Sequence, residues 1–237
     1  STSSTSSTSS TSSTSSTSSC VSPRVMATIK SSSGLQPFDH NNGKIIELYY
    51  VQRPENIRVI VDANPKAVAS LQNSNLIVFG IGSLFTSILA GLIPRGNGSS
   101  VLHNKQALKM LIVNGNSDRE THGMSVRDYV TIIFETCIKD VPKSSSSSSS
   151  LESWNVTDVV NCVVVPVNCS VDLDIEWLNK NGIDIVQTPD QTQPIIMGVM
   201  PQLGMVNIAT NTIPKHDPSI LARCILDTYA TFALQTT

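Results

Sequence analysis

The chain has 237 residues, of which 40% are hydrophobic and only 14% are charged, and its formal net charge is −2 at pH 7. This balance lacks the basic excess that nucleic-acid binding requires, so we expect no nucleic-acid partner. The largest basic cluster, Arg95, Lys105 and Lys109, is predicted to be a solvated face. The five cysteines include no CxxC pair and no histidine has metal-ligand spacing, which predicts buried free thiols.

Two Ser-rich tracts divide the chain. Residues 1–23 and a loop near 143–151 carry too little apolar surface to offset chain entropy, so we predict that both are disordered. Residues 24–237 are predicted to form a single α/β domain. The longest apolar stretch, 75–94, is interrupted by glycines and hydroxyl residues, which argues against a membrane span. With no signal-peptide pattern at its start, the chain is expected to be soluble and cytoplasmic.

Strands and helices alternate along most of the domain. The continuous apolar runs 75–80, 107–115 and 158–167 are typical of strands that are buried on both faces. Because helical patterns separate these strands, the sequence predicts a three-layer, Rossmann-like α/β fold with a mainly parallel sheet. The full set of predicted strands is 43–51, 57–63, 75–80, 107–115, 158–167 and 183–187, and the predicted helices are 65–73, 83–93, 125–138, 172–182 and 217–234.

The first candidate site is the turn FGIGSLFTS, which follows a predicted buried strand. Gly80 and Gly82 can adopt positive φ and allow a ligand to approach the backbone, and the helix after Ser83 begins with free amides and a positive dipole. With the hydroxyls of Thr86 and Ser87, this pattern suits a phosphate or diphosphate. Alternatively, the glycines only permit a tight turn and the hydroxyls cap the helix. The turn lacks the lysine of a P-loop and the third glycine of the dinucleotide fingerprint.

The second candidate site is the loop VNGNSDRETHG, which follows the next buried strand. Asp118 and Glu120 are candidate catalytic residues and Mg²⁺ ligands, because hard carboxylate oxygens suit that ion. Arg119 could bind an anion through its planar guanidinium group, and His122 is a weak candidate for a base. Parallel strands would bring this loop to the same sheet edge as the first turn. The candidate residues of this loop are Asn114, Asp118, Arg119, Glu120, Thr121, His122 and Gly123.

A structural explanation of the second loop is also open. Ser125 is a candidate N-cap of the following helix, and Asp128 stands three residues later, where a capping box places its acidic partner. In that case the charged side chains of the loop are simply solvated.

The two motifs together resemble the CofD-like family, which includes 2-phospho-L-lactate transferases and the gluconeogenesis factors of the UPF0052 group. Family members carry a Gly-Pro-Gly-Ser-Leu-Tyr-Thr-Ser-Ile turn and, later, a Glu-Thr-x-Gly-x-Ser segment. KHDPSILARCILDTY also resembles the family's last helix. The residues that match the two motifs are Gly80, Gly82, Ser83, Leu84, Thr86, Ser87, Ile88, Asn114, Glu120, Thr121, Gly123, Ser125 and Asp128.

The resemblance implies one of two functions. A transferase would move a phospho-lactyl-type group from a nucleotide diphosphate donor with Mg²⁺, and a gluconeogenesis-factor-like regulator would bind a nucleotide-sugar without catalysis. In either case Gly80, Gly82 and Ser83 would hold phosphate, while Asp118 and Glu120 would hold the metal or orient an acceptor. A third alternative is a structural remnant that binds no ligand. A homo-oligomer is also considered as an assembly state. Because the family's glycine-rich first loop is absent, we expect a fold that lacks its N-terminal part.

Overall fold

The computed structural model describes residues 24–31, 34–37, 44–142, 153–188 and 216–235. The predicted disorder of the Ser/Thr tail and of the poly-Ser loop therefore lies outside the described residues. The strands are β1 Arg24–Ser31, β2 Gly34–Pro37, β3 Lys44–Gln52, β4 Ile57–Val59, β5 Leu76–Phe79, β6 Leu108–Ile112, β7 Cys162–Pro166 and β8 Asp184–Thr188. The helices are α1 Pro65–Asn73, a π-helical turn Leu84–Leu89, α2 Ala90–Leu92, α3 Asn97–His103, α4 Val126–Lys139, a 3-10 turn Val156–Asp158, α5 Ile175–Lys180 and α6 Pro218–Gln235.

A four-stranded parallel sheet forms the centre of the molecule, with the strand order β5-β6-β7-β8. Every residue of β6 and β7 is buried. The main core lies on the face covered by α1, α3, α4 and α5, and a smaller core lies on the opposite face beneath α6. These three layers form a Rossmann-like α/β arrangement, which confirms the predicted fold class.

A second sheet, which is antiparallel, precedes the first in the chain and has the order β2-β1-β3-β4. It packs against the main unit through β3, where Ile45 is buried in the core and the Tyr50 hydroxyl donates to the carbonyl of Ala90 at 2.8 Å. The predicted strand 57–63 ends early, at Val59. The residues after it pair instead with Arg95, whose amide and carbonyl bond to Val61 and Ala63.

Three helix starts confirm the capping signals in the sequence. Asn64 accepts the amide of Lys66 at 2.9 Å ahead of Pro65, and Ser125 and Asp128 form a reciprocal capping box. Asp217 accepts the amides of the second and third residues of α6. The described cysteines are free thiols. Cys137 and Cys162 are buried, as predicted, whereas Cys169 and Cys224 are partly exposed. No helix in the described ranges has the length and apolarity that a membrane crossing needs.

Other predictions were wrong. Strand β5 is an edge strand among the described residues rather than a doubly buried one, because Ile77 and Phe79 are buried but Val78 is 39% exposed. Helix α3 was not predicted, since its sequence NGSSVLH is rich in weak helix formers. This helix depends on tertiary contacts: Asp140 accepts the amides of Gly96 and Ser99, at the start of α3.

Lys109 also departs from the prediction of a solvated face, because it is only 1% exposed. It lies on β6, in the same strand face as Leu111, which belongs to the core beneath α3 and α4. Burial lowers the pKa of Lys109 to about 8, although the nearby Asp158 carboxylate partly opposes this effect. Arg95 and Lys105 are exposed, as expected.

Candidate functional site

The two predicted turns meet at the carboxyl edge of the parallel sheet. They share a small cavity of about 10 Å³, the space of one water, to which the first turn contributes Gly82 and Ile88 and the second loop contributes Asn114, Asp118 and Thr121. The cavity is formed here because β5 and β6 are adjacent parallel strands, whose carboxyl ends lie side by side. The sheet topology therefore brings together two loops that are separated by about thirty residues in the chain.

Glu120 occupies the N-terminal end of the π-helical turn. Its carboxylate accepts the amides of Phe85 at 3.1 Å and Thr86 at 3.2 Å, and the Thr86 hydroxyl donates to it at 2.6 Å. The side chain is buried, with 5% of the residue exposed. Both carboxylate oxygens are thus used to cap this helix, and a metal ion could recruit them only by breaking these bonds. The catalytic and metal-binding roles of Glu120 remain predictions.

Asp118 connects the two turns through its carboxylate. One oxygen accepts the amides of Glu120 and Thr121 at 2.9 and 3.1 Å and the Thr121 hydroxyl at 2.9 Å. Burial alone would raise the pKa of Asp118, but hydrogen bonds from the Ser83 and Thr121 hydroxyls and from the two amides outweigh burial and lower it. The carboxylate is therefore ionised near neutral pH and holds the loop against the first turn.

The two glycines of the first turn differ in what they contribute. Neither adopts the positive φ that the sequence suggested; among the described glycines that conformation occurs at Gly123 and at two positions outside the site. The amide of Gly82 donates to the carbonyl of Gly80 at 2.9 Å. A Cβ on Gly82 would lie 2.6 Å from the Cβ of Ser87, whereas a Cβ on Gly80 would have no neighbour within 4 Å. Gly82 is needed for close packing inside the turn itself.

Most amides of the first turn already donate within the chain. Those of Phe85 and Thr86 bond to Glu120, and the amides one turn later bond to the carbonyl of Ser83. Within the described residues, the amides of Ser83 and Leu84 make no hydrogen bond. An anion that leaves Glu120 in place would have these two amides available.

The remaining predicted residues lie at the rim of the site. Arg119 and His122 are exposed, and Arg119 makes no ion pair with any described residue. Thr86 and Ser87 are also exposed on the first turn of the helix, while Asn114 is half-buried. The guanidinium group of Arg119 and the Ser87 hydroxyl are thus accessible to a ligand at this edge, whereas the Thr86 hydroxyl already donates to Glu120.

Two residues near the site were not singled out from the sequence as site residues. Tyr129 of α4 lines the small cavity, and burial raises the pKa of its phenol, which lies near the hydroxyls of Thr121 and Ser117 and the charge of Asp118. His216, just before α6, lies at the same sheet edge.

His216 supplies a hydrogen bond that β7 cannot make to β6. The register of β6 and β7 would direct the amide of residue 166 to the carbonyl of Val113, but Pro166 has no amide hydrogen. Nε2 of His216 donates to that carbonyl at 2.9 Å, and Nδ1 lies 3.1 Å from the Thr188 hydroxyl. A proline at the end of a central strand is the sequence signal that could have pointed to such a donor.

The site offers few protein ligands to a divalent cation. Among the described residues, no group of three or more His, Cys, Asp or Glu side chains could hold a metal ion. Asp118 supplies one ionised carboxylate, and one of its oxygens has no amide donor. This donor set fits Mg²⁺ that is bound through one carboxylate, a ligand phosphate and waters, and does not fit a site made of protein side chains alone.

Comparison with known proteins identifies the family. The family model described as 2-phospho-L-lactate transferase CofD matches residues 28–189, which is more than half of the chain. The chain belongs to the CofD family. The match includes both turns of the site and the whole parallel sheet, so the residues of the two motifs lie within it, whereas the segment KHDPSILARCILDTY lies beyond it.

Relatives of this CofD family member include two curated proteins. An uncharacterized protein of Saccharomyces cerevisiae is 25% identical over 150 residues, covering 61% of this chain and 34% of the relative. A Thermotoga maritima protein named "Putative gluconeogenesis factor" is 33% identical over 89 residues, covering 37% of this chain and 26% of the relative. The chain thus spans about a third or less of the length of these relatives.

Solved structures similar to this CofD family member include a UPF0052 family protein from Bacillus halodurans. Its crystal structure has a TM-score of 0.48 and 17% sequence identity, and the alignment covers 69% of this chain and 52% of that chain.

Proposed function

We propose that this CofD family member binds a nucleotide through its phosphates at the carboxyl edge of the parallel sheet. The observation that carries the proposal is the start of the π-helical turn, where the amides of Ser83 and Leu84 make no hydrogen bond within the described residues. The carboxylate of Asp118 lines the small cavity beside them, and the exposed guanidinium group of Arg119 is at the rim. Amide donors and an arginine are the groups that proteins use to bind phosphate.

The residues would act by positioning and charge neutralisation. The amides of Ser83 and Leu84 would donate to the oxygens of one phosphate, and Arg119 would bind the outer phosphate. Mg²⁺, when bound, would neutralise phosphate charge from the Asp118 carboxylate oxygen that accepts no amide. Glu120 would hold the helix start in place, so that the two amides point at the ligand. This arrangement needs no covalent intermediate on the protein.

Transfer of a phospho-lactyl-type group from a nucleotide diphosphate donor is the activity that we propose first, on the basis of the family. The acceptor oxygen would form a bond to phosphorus and lose its proton, the P–O–P bond of the donor would break, and the nucleoside monophosphate would leave. Asp118 would then also orient the acceptor. Binding of a nucleotide-sugar without catalysis is the second candidate. It is favoured by the engagement of both Glu120 oxygens in the helix cap, which occupies one of the two candidate catalytic carboxylates, and by the name of the Thermotoga maritima relative.

Calorimetric titration of the chain with GDP, GTP and UDP-GlcNAc, each with and without Mg²⁺, tests the proposal. Preference for GDP with strong Mg²⁺ dependence supports the transferase, while UDP-GlcNAc binding without turnover supports the regulator. Asp118→Asn should weaken binding of the preferred ligand, whereas the control Asp227→Asn on the exposed surface of α6 should not. If the folded chain binds none of the three ligands, both candidate functions are wrong.

A further inference from the structure

A larger cavity lies next to the first turn, on the α1 side of the sheet. Its volume is about 430 Å³, which is within the usual range for small-molecule sites. Strand β5 forms one wall, and α1, the π-helical turn and α2 surround the rest. The side chains that line it are mostly apolar: Leu71, Ile77, Phe79, Ile88, Leu92 and Val101.

The chemistry of the lining selects an uncharged group. No charged side chain lines the cavity, and its polar groups are the Ser87 hydroxyl and the backbone of the glycines. A charged group placed there would lose its hydration without gaining a partner, whereas an uncharged ring whose polar edge meets the Ser87 hydroxyl or the glycine backbone would lose little. Gly80, just after β5, and Gly91 on α2 both line the cavity, and an ideal Cβ on either would have no neighbour within 4 Å. These two positions leave backbone surface exposed, against which a planar ring can pack.

The larger cavity adjoins the small cavity of the phosphate site. Gly82 and Ile88 line both cavities, so the two share a wall at the first turn. A ligand whose charged end lies beside Asp118 could therefore extend past Gly82 into the apolar space. A nucleotide has this division between a charged phosphate end and an uncharged aromatic base.

We propose that the cavity between β5, α1 and α2 holds the nucleobase of the ligand whose phosphates lie at Asp118. This assignment rests on the proposed function, because it gives a binding position to one part of the same ligand. It divides the site into an anionic subsite at the sheet edge and an apolar subsite beside the edge strand.

Variants that fill the cavity test this assignment. Gly91→Leu and Gly91→Phe each add a side chain where the structure has open space. The control is Ala222→Leu, at an exposed position of α6 on the opposite face of the sheet. Each protein is titrated calorimetrically with GDP and with inorganic diphosphate, both in Mg²⁺, and thermal unfolding shows whether each variant folds.

The assignment predicts that both filling variants raise the Kd for GDP at least about tenfold, because the base is displaced from its apolar contacts. The Kd for diphosphate should stay within about twofold of the wild-type value, and Ala222→Leu should change neither. If GDP affinity is unchanged in a folded filling variant, the nucleobase assignment is wrong while the proposed function stands. If the wild type binds diphosphate and GDP equally well, the base contributes nothing and the assignment is again wrong. If the wild type binds neither, the proposed function is wrong as well.

Discussion

Replacement of Glu120 by alanine gives the sharpest test of how the site is built. The variant removes the carboxylate that accepts the amides of Phe85 and Thr86 and the Thr86 hydroxyl. A hydrogen bond to a charged acceptor contributes about 1.5–3 kcal/mol, but several bonds to one carboxylate are not additive. Loss of a helix cap alone costs about 1 kcal/mol. Since the Phe85 amide would be left buried without a partner, we expect Glu120→Ala to lower the free energy of unfolding by about 3 kcal/mol.

Urea unfolding followed by circular dichroism measures this change. Glu120→Gln should cost less, about 1 kcal/mol, because the side-chain amide keeps one acceptor oxygen but loses the charge. The matched control is Glu135→Ala on the exposed face of α4, which should alter stability by no more than about 0.5 kcal/mol. If Glu120→Ala is as stable as the control, the carboxylate is not a helix cap in solution. Loss of Mg²⁺ binding by the stable Glu120→Gln variant would then favour the metal role.

Three further predictions concern other parts of the fold. Gly82→Ala should destabilise the chain by about 1–3 kcal/mol through overpacking, whereas Gly80→Ala should be nearly neutral in urea unfolding; equal effects would contradict the clash. The pKa of Lys109 is about 8 in the folded chain and about 10.4 in the unfolded chain. The buried ammonium group therefore lowers the free energy of unfolding below pH 8, and this loss of stability disappears as the pH rises to about 10.4. Lys109→Met should therefore be more stable than wild type by about 1–2 kcal/mol at pH 7, and a stability gap that does not narrow between pH 8 and pH 10 would contradict the burial. His216→Ala should lower the free energy of unfolding in urea by about 1–2 kcal/mol, and by less in a Pro166→Ala background that restores the missing amide. Additive losses in the double mutant would show that His216 does not substitute for the amide of residue 166.

Local signals in the sequence predicted the elements that depend on local interactions. The capping box of Ser125 and Asp128 involves residues three positions apart, so it is visible in the sequence, and the start of α4 was predicted within one residue. The apolar runs that became β6 and β7 were identified for a similar reason, since a fully buried strand has no polar alternation.

The parts that sequence analysis missed depend on distant partners. The helix-capping contacts of Glu120 were missed because its partners are amides about 35 residues earlier in the chain, while its role as a metal ligand stays a prediction. Lys109 was assigned to the surface because it is charged, but it is buried because it lies within the buried strand β6. The antiparallel sheet was missed in part because the pairing of β1 with β3 is a long-range choice that no local pattern specifies.

Chemical-shift mapping of backbone amides during titration with GDP and Mg²⁺ tests the central claim most directly, because it reports where the ligand binds. The account predicts saturable shifts at the amides of Ser83 and Leu84 and along residues 115–123, and their loss in Asp118→Asn. Shifts confined to the opposite face of the sheet, around α6, or no shifts at saturating ligand would contradict a nucleotide site at this edge.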